Sequence, residues 1–451
     1  MDPTLSVVEL GAGAGSSNRN GRNPFRFFPG RLIPGRLVPV LLAVAMAGAA
    51  CSTTTAAEST ADTVQPAVTA SVVEEPGATD AVDSNTVDSN AVDGTSVDSA
   101  EADAVSELVA SLTVEQKIGQ LLMPVVFGTG ADPSPSDREL NLQAHGYATP
   151  NEIVEAYQLG GVIYLPNNVE SAAQLRTMSS QLQETATQDG GVGLLVAVDQ
   201  EGGRVSRISE EVTSFPPPVD LAGDAGQVRE ASYVTGQQVQ QQGVNVVLAP
   251  VADVWQPGSF IGNRSFGGDP AVVSTMVAAA VDGLQQSGVA AAVKHWPGHG
   301  ATPEDSHEKL PTLDVARSLW EERDLPPFRA AIDQDVSIVL VGHLALSQFD
   351  PSGVPATISP ILIDGLLREE QGFDGVVMSD ALNMGAVDDI PPQDLAVASV
   401  QAGIDVILIP PSLELASEGL TNAVASGEIS QERLDLSVTR ILRLKQQLGL
   451  L

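Results

Sequence analysis

Three classes of residue are scarce in this chain, and each scarcity excludes a kind of structure or function. The 451 residues include one cysteine, Cys51, which excludes an internal disulfide and a thiolate-rich zinc site. Aromatic residues make up only 4% of the chain, so a core must be built mainly from Ala, Val, Leu and Ile. Lys and Arg number 22 against 57 Asp and Glu, and the net charge of −35 argues against nucleic-acid binding, which needs a basic surface.

Residues 1–50 have the composition of a secretory leader. Five arginines precede an apolar run, Leu37 to Ala50, that is short for a membrane-spanning helix. Gly48-Ala49-Ala50 stand before Cys51 and resemble a bacterial lipoprotein cleavage site, although leucine is usual at the position of Gly48. We therefore predict a lipid on Cys51 and a secreted protein anchored to the outer face of the cell membrane. An uncleaved anchor, and ordinary cleavage beside an incidental cysteine, are the alternatives.

Residues 51–105 read as a spacer and not as a folded domain. They are rich in Ser, Thr, Ala, Val and Asp and contain the loose repeat AVDSN, TVDSN, AVDGT, SVDSA. The segment shows no helical periodicity and almost no aromatic residue, a composition typical of disorder. We predict a disordered acidic linker that separates the leader from a single catalytic domain over 106–451.

Residues 106–451 alternate short apolar runs with helical stretches, the pattern of an α/β protein. Most of the runs lack polar/apolar alternation, which favours strands buried on both faces of a parallel sheet. The eight runs begin at Ile118, Gly161, Gly193, Asn245, Ala290, Val336, Gly375 and Asp405. Eight such runs with helices between them predict a single closed (β/α)8 barrel of the TIM type. A doubly wound open sheet is the second choice, but the glycine-rich phosphate turn expected after its first strand is weak here.

Polar residues stand at the ends of five of these runs. They are Asp199, Asp253, Lys294, His295, His343 and Asp380. In a barrel the carboxyl ends of the strands meet on one face, where active sites lie. Any one of these residues could instead be a turn former or a helix cap, and for Asp380 the alternative is the N-cap of a following helix. Together they predict a site on that face.

The segment from Lys294 to His307, KHWPGHGATPEDSH, holds three of the five histidines of the chain. Three His and two acids within it could suggest a metal site. The spacing, however, is that of a loop, and Lys294 would place a cation against the metal. Ammonium and imidazole groups also bind hydroxyls, so a sugar site explains the segment better and no metal is expected.

Four segments together resemble the signature of glycoside hydrolase family 3, in its bacterial β-N-acetylglucosaminidase branch. They are DQEGGRVSR from Asp199, NRSFGGDP from Asn263, KHWPGHG with the following DSH, and GVVMSDALNMGA from Gly375. The resemblance covers roughly residues 106–451 and implies a retaining exo-hydrolase that works through a covalent glycosyl-enzyme. Terminal β-linked N-acetylglucosamine of peptidoglycan or chitin fragments is the implied substrate.

The resemblance also implies roles for individual residues. Asp380 would be the nucleophile and His307 the general acid/base, with Asp305 orienting the imidazole. Ala381 departs from the family pattern, which often has a second acid there. Asp199 would accept hydrogen bonds from sugar hydroxyls, and cationic side chains would donate to hydroxyls and to the acetamido group: Arg207, Arg264, Lys294 and His295. Glu201, Gly202 and Gly203 would shape the loop and His299 the PGHG turn, while His343 stays ambiguous and His145 unassigned.

No cofactor is expected, and the predicted protein is a monomer. A β-glucosidase or a broader exo-β-glycosidase on the same barrel is the first alternative. A non-catalytic, sugar-binding surface lipoprotein is a more distant one, because such a protein would be expected to lose Asp380 or His307.

Overall fold

The computed structural model describes residues 104–451. The predicted leader 1–50, Cys51 and all but the last two residues of the predicted linker 51–105 lie outside the described residues. Helical turns over 104–111 open the described part. Within it, no helix combines the length and the apolarity needed to cross a bilayer.

A six-stranded parallel sheet forms the centre of the fold, with its strands in the order β2-β3-β6-β7-β8-β9. A parallel pair, β1-β10, and an antiparallel hairpin, β4-β5, accompany it. The strands are β1 (Leu122–Met123), β2 (Gly161–Tyr164), β3 (Leu195–Val198), β4 (Gln200–Gly202), β5 (Val205–Ser206), β6 (Val246–Val247), β7 (Ala290–Trp296), β8 (Ile338–Val341), β9 (Val376–Ser379) and β10 (Ile407–Leu408). Each predicted apolar run contains one of the parallel strands, and their residues are buried, as expected for a sheet covered on both faces.

The prediction of a closed (β/α)8 barrel is wrong. The continuous ladder spans six strands and forms a curled half-barrel. The strands β1 and β10 pair with each other, and the segments that hold them are joined to the sheet by isolated bridges, Val125–Ile163 and Met378–Val406, and not by a continuous ladder. Both outer strands are two residues long for local reasons. Pro124 follows β1 and has no N–H to extend a ladder, and Ile409 follows β10 with a φ of 43°, outside extended geometry.

Helices cover the sheet. They are α1 (Val114–Gln120), α2 (Pro135–His145), α3 (Pro150–Tyr157), α4 (Ala172–Ala186), α5 (Pro218–Leu221), α6 (Ala225–Gln240), α7 (Pro270–Gln286), α8 (Arg317–Arg323), α9 (Leu325–Ile332), α10 (Pro392–Gln401), α11 (Leu413–Ser426) and α12 (Gln431–Gln447), with a π-helix at Ile361–Glu370. The start of α7 is capped, because the Asp269 side chain accepts from the N–H groups of Ala271 and Val272 and Pro270 occupies the first turn. The sequential strand order also differs from a doubly wound sheet, whose order reverses at a switch point.

Candidate active site

A cavity of about 400 Å³ opens at the carboxyl ends of the strands. Asp199 directly follows β3, Lys294 and His295 belong to β7, and Asp380 directly follows β9. All of the predicted catalytic and sugar-contacting residues except Asp305 line this cavity: Asp199, Arg207, Arg264, Lys294, His295, His307 and Asp380. The curled sheet therefore brings together residues that lie up to 181 positions apart, from 199 to 380.

Glu201 is the centre of a buried ion-pair cluster that the sequence motifs do not predict. Its carboxylate accepts two hydrogen bonds from Arg264, at 2.8 Å from Nε and 2.7 Å from the NH2 nitrogen, and lies 2.7 Å from Lys294 Nζ. Burial by itself would raise the pKa of Glu201, but the charges of Lys294 and Arg264 outweigh it and lower the pKa to about 2. Glu201 thus stays ionised and fixes two predicted sugar-binding cations.

The β4-β5 hairpin delivers Glu201 to this position. Gly202 and Gly203 form its turn with φ values of 93° and 56°, a conformation that side chains disfavour. The sequence assigned Glu201 only to the shape of this loop. The one feature of the sequence that could have indicated this ion pairing is the acid itself, because it lies in a segment predicted to face several cationic side chains.

Lys294 has two carboxylate partners. Its Nζ lies 2.7 Å from Asp199 Oδ1 as well as from Glu201 Oε1. Burial opposes the charge of Lys294, but Asp199 and Glu201 together leave its pKa above the ordinary value. The base of the cavity therefore carries a paired ammonium group, which can donate to sugar hydroxyls.

A second buried pair joins Asp253 and His295. Asp253 is fully buried, and its Oδ2 lies 2.7 Å from His295 Nδ1. Asp253 Oδ1 accepts the backbone N–H of His299 at 2.6 Å. The other ring nitrogen of His295, Nε2, lies 3.4 Å from the NH2 nitrogen of Arg264. The sequence predicts Asp253 at a strand end but indicates no role for it.

Asp380 is held by the backbone on both sides. Its N–H donates to the Val341 carbonyl at 2.8 Å, and its Oδ1 accepts the Ala381 N–H at 2.9 Å. Burial opposes ionisation, but electrostatic interactions with His295 and His343 and the hydrogen bond from the Ala381 N–H bring the pKa of Asp380 below its ordinary value. Turns and not a helix follow Asp380, and α10 starts only at Pro392, so the helix N-cap alternative is wrong.

His307 lies on the long loop after β7, and its side chain is 65% exposed. Its Nδ1 lies 2.7 Å from Asp305 Oδ1, and the same oxygen accepts the His307 N–H at 3.0 Å. The loop is attached to the segment after Asp380, because Gly385 N–H donates to the His307 carbonyl at 3.1 Å. The ring of Phe260 lies 6.3 Å from the His307 ring. The predicted Asp305–His307 pair is thus formed at the cavity, and no residue of 104–451 forms a hydrogen bond with His307 Nε2.

The three remaining histidines have structural contacts. His299 is buried and bonds Thr302 and Ser306, consistent with packing of the PGHG turn, and burial lowers its pKa. His343 lies between Thr357 Oγ1 and the Ala381 carbonyl, at 2.9 and 3.0 Å, and so supports the backbone beside Asp380. His145 bonds the Val125 carbonyl at 2.8 Å, away from the cavity.

The histidines of the segment 294–307 do not converge on one point. His295 pairs with Asp253, His299 with Ser306, and His307 with Asp305. Among residues 104–451, no three or more His, Cys, Asp or Glu side chains are grouped to hold a metal ion.

Arg207 extends the set of donors on the cavity wall. Its backbone N–H is fixed by Gln200 Oε1 at 2.9 Å, while its buried Nε has no hydrogen-bond partner within the described residues. A buried donor of this kind normally has a partner, so Arg207 is suited to a ligand oxygen.

Comparison with known proteins decides the family. The family model described as Glycosyl hydrolase family 3 N terminal domain matches residues 113–444. The chain belongs to glycoside hydrolase family 3. The family membership predicted from the four motifs is therefore confirmed.

Several relatives in glycoside hydrolase family 3 share about a third of their aligned residues with this chain. Beta-hexosaminidase A of Pseudoalteromonas piscicida is 32% identical over 372 residues, covering 75% of this chain and 62% of that protein. A protein of Cellulomonas fimi named beta-N-acetylglucosaminidase/beta-glucosidase is 31% identical, covering 77% of this chain and 60% of that protein.

A solved structure of the same family superposes on the described fold. It is a glycoside hydrolase family 3 beta-N-acetylglucosaminidase from Paenibacillus sp. str. FPU-7, with a TM-score of 0.70 and 39% identity, covering 75% of this chain and 63% of that one. This chain therefore spans somewhat less than two thirds of the length of these three relatives.

Proposed function

We propose that this protein is a retaining exo-β-N-acetylglucosaminidase that removes terminal β-linked N-acetylglucosamine from peptidoglycan or chitin-type fragments. The observation that carries the proposal is the placement of Asp380 and the Asp305-bonded His307 on one cavity. Retention requires a nucleophile and a general acid/base, and a carboxylate and an imidazole can fill these two roles. The names of the relatives support N-acetylglucosamine as the sugar that is removed.

Asp380 is proposed as the nucleophile. Its lowered pKa keeps it a carboxylate at neutral pH. A carboxylate oxygen attacks the anomeric carbon, a C–O ester bond forms, and the bond to the leaving oxygen breaks. The hydrogen bond from the Ala381 N–H orients Asp380 for this step, and its second oxygen, which has no hydrogen-bond partner within 104–451, can attack.

His307 is proposed as the general acid/base. With Nδ1 bonded to Asp305, Nε2 can carry the proton that passes to the leaving oxygen. In the second step Nε2 takes a proton from water, the water oxygen attacks the anomeric carbon, and Asp380 departs as a carboxylate. Two inversions at one carbon return the β-anomer.

The buried cluster at the base of the cavity supports an exo mode of action. Asp199 and Lys294 can accept from and donate to the hydroxyls of one terminal sugar ring. Arg207 and Arg264 add donors for the hydroxyls and the acetamido oxygen. The remaining mouth of the cavity, beside the exposed His307, is then left for the aglycone.

Two aryl glycosides test the proposal. The full chain is expected to hydrolyse an aryl β-N-acetylglucosaminide faster than the matching aryl β-glucoside, with the β-anomer as the first product by NMR. The Cellulomonas fimi relative, whose name includes beta-glucosidase, favours the broader exo-β-glycosidase as a second candidate. Equal rates on both substrates would support that candidate, an α-anomer first product would exclude retention, and binding without turnover would support a sugar-binding protein.

We also propose that the catalytic domain is tethered outside the cell. The sequence pattern supports a leader over 1–50, a lipid on Cys51, a spacer to residue 105 and a domain over 106–451. Mass spectrometry of the native protein is expected to find a modified Cys51 as the first residue. An unmodified N-terminus elsewhere would contradict the anchor.

We propose a monomer, because the residues of one chain line the cavity from all the strands that reach it. Light scattering on the purified chain is expected to give a single-chain mass. A concentration-independent dimer would contradict this proposal.

A further inference from the structure

The buried pair Asp253–His295 has a function that neither the motifs nor the proposed mechanism assigns. Asp253 Oδ2 lies 2.7 Å from His295 Nδ1, and Asp253 Oδ1 accepts the backbone N–H of His299 at 2.6 Å and faces that of His295 at 3.4 Å. The Asp253 carbonyl oxygen also accepts from Ser265 Oγ at 2.6 Å. The carboxylate therefore has one fixed orientation.

This orientation decides which ring nitrogen of His295 carries the proton. A carboxylate only accepts hydrogen bonds, so the short contact to Nδ1 places the proton on Nδ1. In the neutral ring, Nε2 then has a lone pair. The Nη2 atom of Arg264 lies 3.4 Å from it and can only donate, which fits an unprotonated Nε2; the contact is long, so a closer sugar hydroxyl can replace it.

The short contact to Asp253 and the packing of a neighbouring ring favour this orientation of His295. His299 packs edge-on against His295, with ring centroids 5.9 Å apart and an interplanar angle of 77°. Both rings border the cavity, and His295 is 7% exposed. A sugar oxygen reaching His295 therefore meets Nε2.

We propose that Asp253 is a positioning residue that fixes His295 as a hydrogen-bond acceptor for one hydroxyl of the terminal sugar. The proposal rests on the glycosidase function proposed above. The resemblance implies that His295 donates a hydrogen bond to the sugar, and the present proposal reverses the direction of that hydrogen bond. The hydroxyl that faces Nε2 must then donate its proton, and a group that only accepts is disfavoured at that position.

Two measurements test this inference on the full chain. In the first, ¹⁵N NMR of histidine-labelled protein near neutral pH is expected to show His295 with a protonated Nδ1 and an unprotonated Nε2. In Asp253→Asn the pattern should reverse, because the asparagine oxygen keeps the His299 N–H and its NH2 group donates to Nδ1. This readout does not depend on turnover.

The second measurement compares aryl β-N-acetylglucosaminides in which one ring hydroxyl at a time is replaced by fluorine, which cannot donate. At one position, the wild-type preference in kcat/KM for hydroxyl over fluorine should exceed that of Asp253→Asn roughly tenfold. The electronic effect of fluorine on the reaction is the same for both enzymes and cancels in this comparison. Asp305→Asn, which alters the other Asp–His pair, should keep the wild-type preference.

A proton on Nε2 in the wild type, or the same hydroxyl preference in wild type and Asp253→Asn at every position, would overturn the inference. If Asp253→Asn does not fold, the wild-type NMR pattern still decides the proton position. Absence of any glycoside turnover in the wild type would instead count against the proposed function, while the NMR result would stand independently.

Discussion

Gly385 lies directly against the carbonyl oxygen of His307. Its N–H donates to that oxygen at 3.1 Å, and a Cβ added at Gly385 would come within 2.8 Å of it and within 2.7 Å of the Glu308 carbonyl oxygen. Both obstacles are backbone atoms, which cannot rotate away. The close approach joins the segment after Asp380 to the loop that carries His307, so the two proposed catalytic groups share one support.

We predict that Gly385→Ala lowers kcat at least tenfold on an N-acetylglucosamine disaccharide, because the loop must shift and a shift of about 1 Å near the chemistry can cost 10²-fold. Steady-state kinetics measure the loss. Gly130→Ala is the control, since a Cβ there meets nothing within 4 Å. Wild-type turnover in Gly385→Ala would show that the contact does not position His307.

Asp380→Asn is predicted to lose several orders of magnitude in kcat on every substrate, because the nucleophile is needed whatever the leaving group. The asparagine oxygen can still accept the Ala381 N–H, so thermal unfolding should change little. Retention of more than about a tenth of wild-type turnover, equivalent to a barrier increase under ~1.4 kcal/mol, would move the nucleophile elsewhere.

His307→Ala is predicted to affect substrates unequally. Protonation matters little for a nitrophenolate leaving group but strongly for a sugar, so the loss on disaccharides should be larger, at about 10²–10⁴-fold per proton transfer. Activation of water is impaired for all substrates, so aryl glycosides should show a burst as the glycosyl-enzyme accumulates. Azide needs no base, and its attack on the anomeric carbon should restore turnover and give a β-glycosyl azide.

Asp305→Ala should give a weaker version of this pattern, because it removes the orienting carboxylate and leaves the imidazole. The His307 side chain is 65% exposed, so its removal should not change the fold. A uniform loss on all substrates without a burst or an azide product would reduce His307 to a structural residue of the loop.

Glu201→Gln should reduce both sugar binding and stability. It leaves Lys294 and Arg264 buried with one carboxylate fewer, and breaking a buried ion pair typically costs about 3 kcal/mol or more. Glu211→Gln is the matched control, because Glu211 pairs with Arg176 on the surface, where an ion pair adds little to stability. Chemical denaturation measures the unfolding free energy of both variants. Equal losses in the two variants would argue against a stabilising Glu201 cluster.

The loss of stability in Glu201→Gln should depend on pH in one direction. The folded-state pKa of Glu201, about 2, lies below its ordinary value of 4.5, so its stabilising contribution is complete above pH 4.5 and is lost as the pH falls toward 2. The difference in unfolding free energy between wild type and Glu201→Gln should therefore shrink within that range.

Lys445 provides a test far from the cavity. Its buried Nζ bonds Gln120 Oε1 at 2.6 Å, and burial lowers its pKa from 10.5 to about 7. The unfolded chain binds this proton more tightly, so the wild type should gain stability relative to Lys445→Met as the pH rises from about 7 to 10.5, by up to about 1.4 kcal/mol per pH unit. Lys309→Met, at a side chain that is 65% exposed, should show no such slope, and a flat difference for Lys445→Met would contradict a buried, titrating amine.

The sequence by itself determined where the parallel strands lie and which residues are proposed to act at the cavity. Apolar runs without alternation located every strand of the parallel sheet, because burial on both faces removes polar positions from a strand. Strand-end polar residues and the four motifs located Asp199, Lys294, His295 and Asp380. These features are local and need no knowledge of how the strands pack.

Only the tertiary structure decided how far the sheet curls and which side chains pair with each other in the site. Two-residue strands beside Pro124 and Ile409 leave a six-stranded half-barrel, a result that depends on ladder hydrogen bonds between distant segments. The partners of Glu201 are 63 and 93 positions away, Arg264 and Lys294, and Asp253 meets His295 across 42 positions. Such contacts depend on strand register and sheet curvature, which fix angstrom-scale distances that residue type and spacing do not encode.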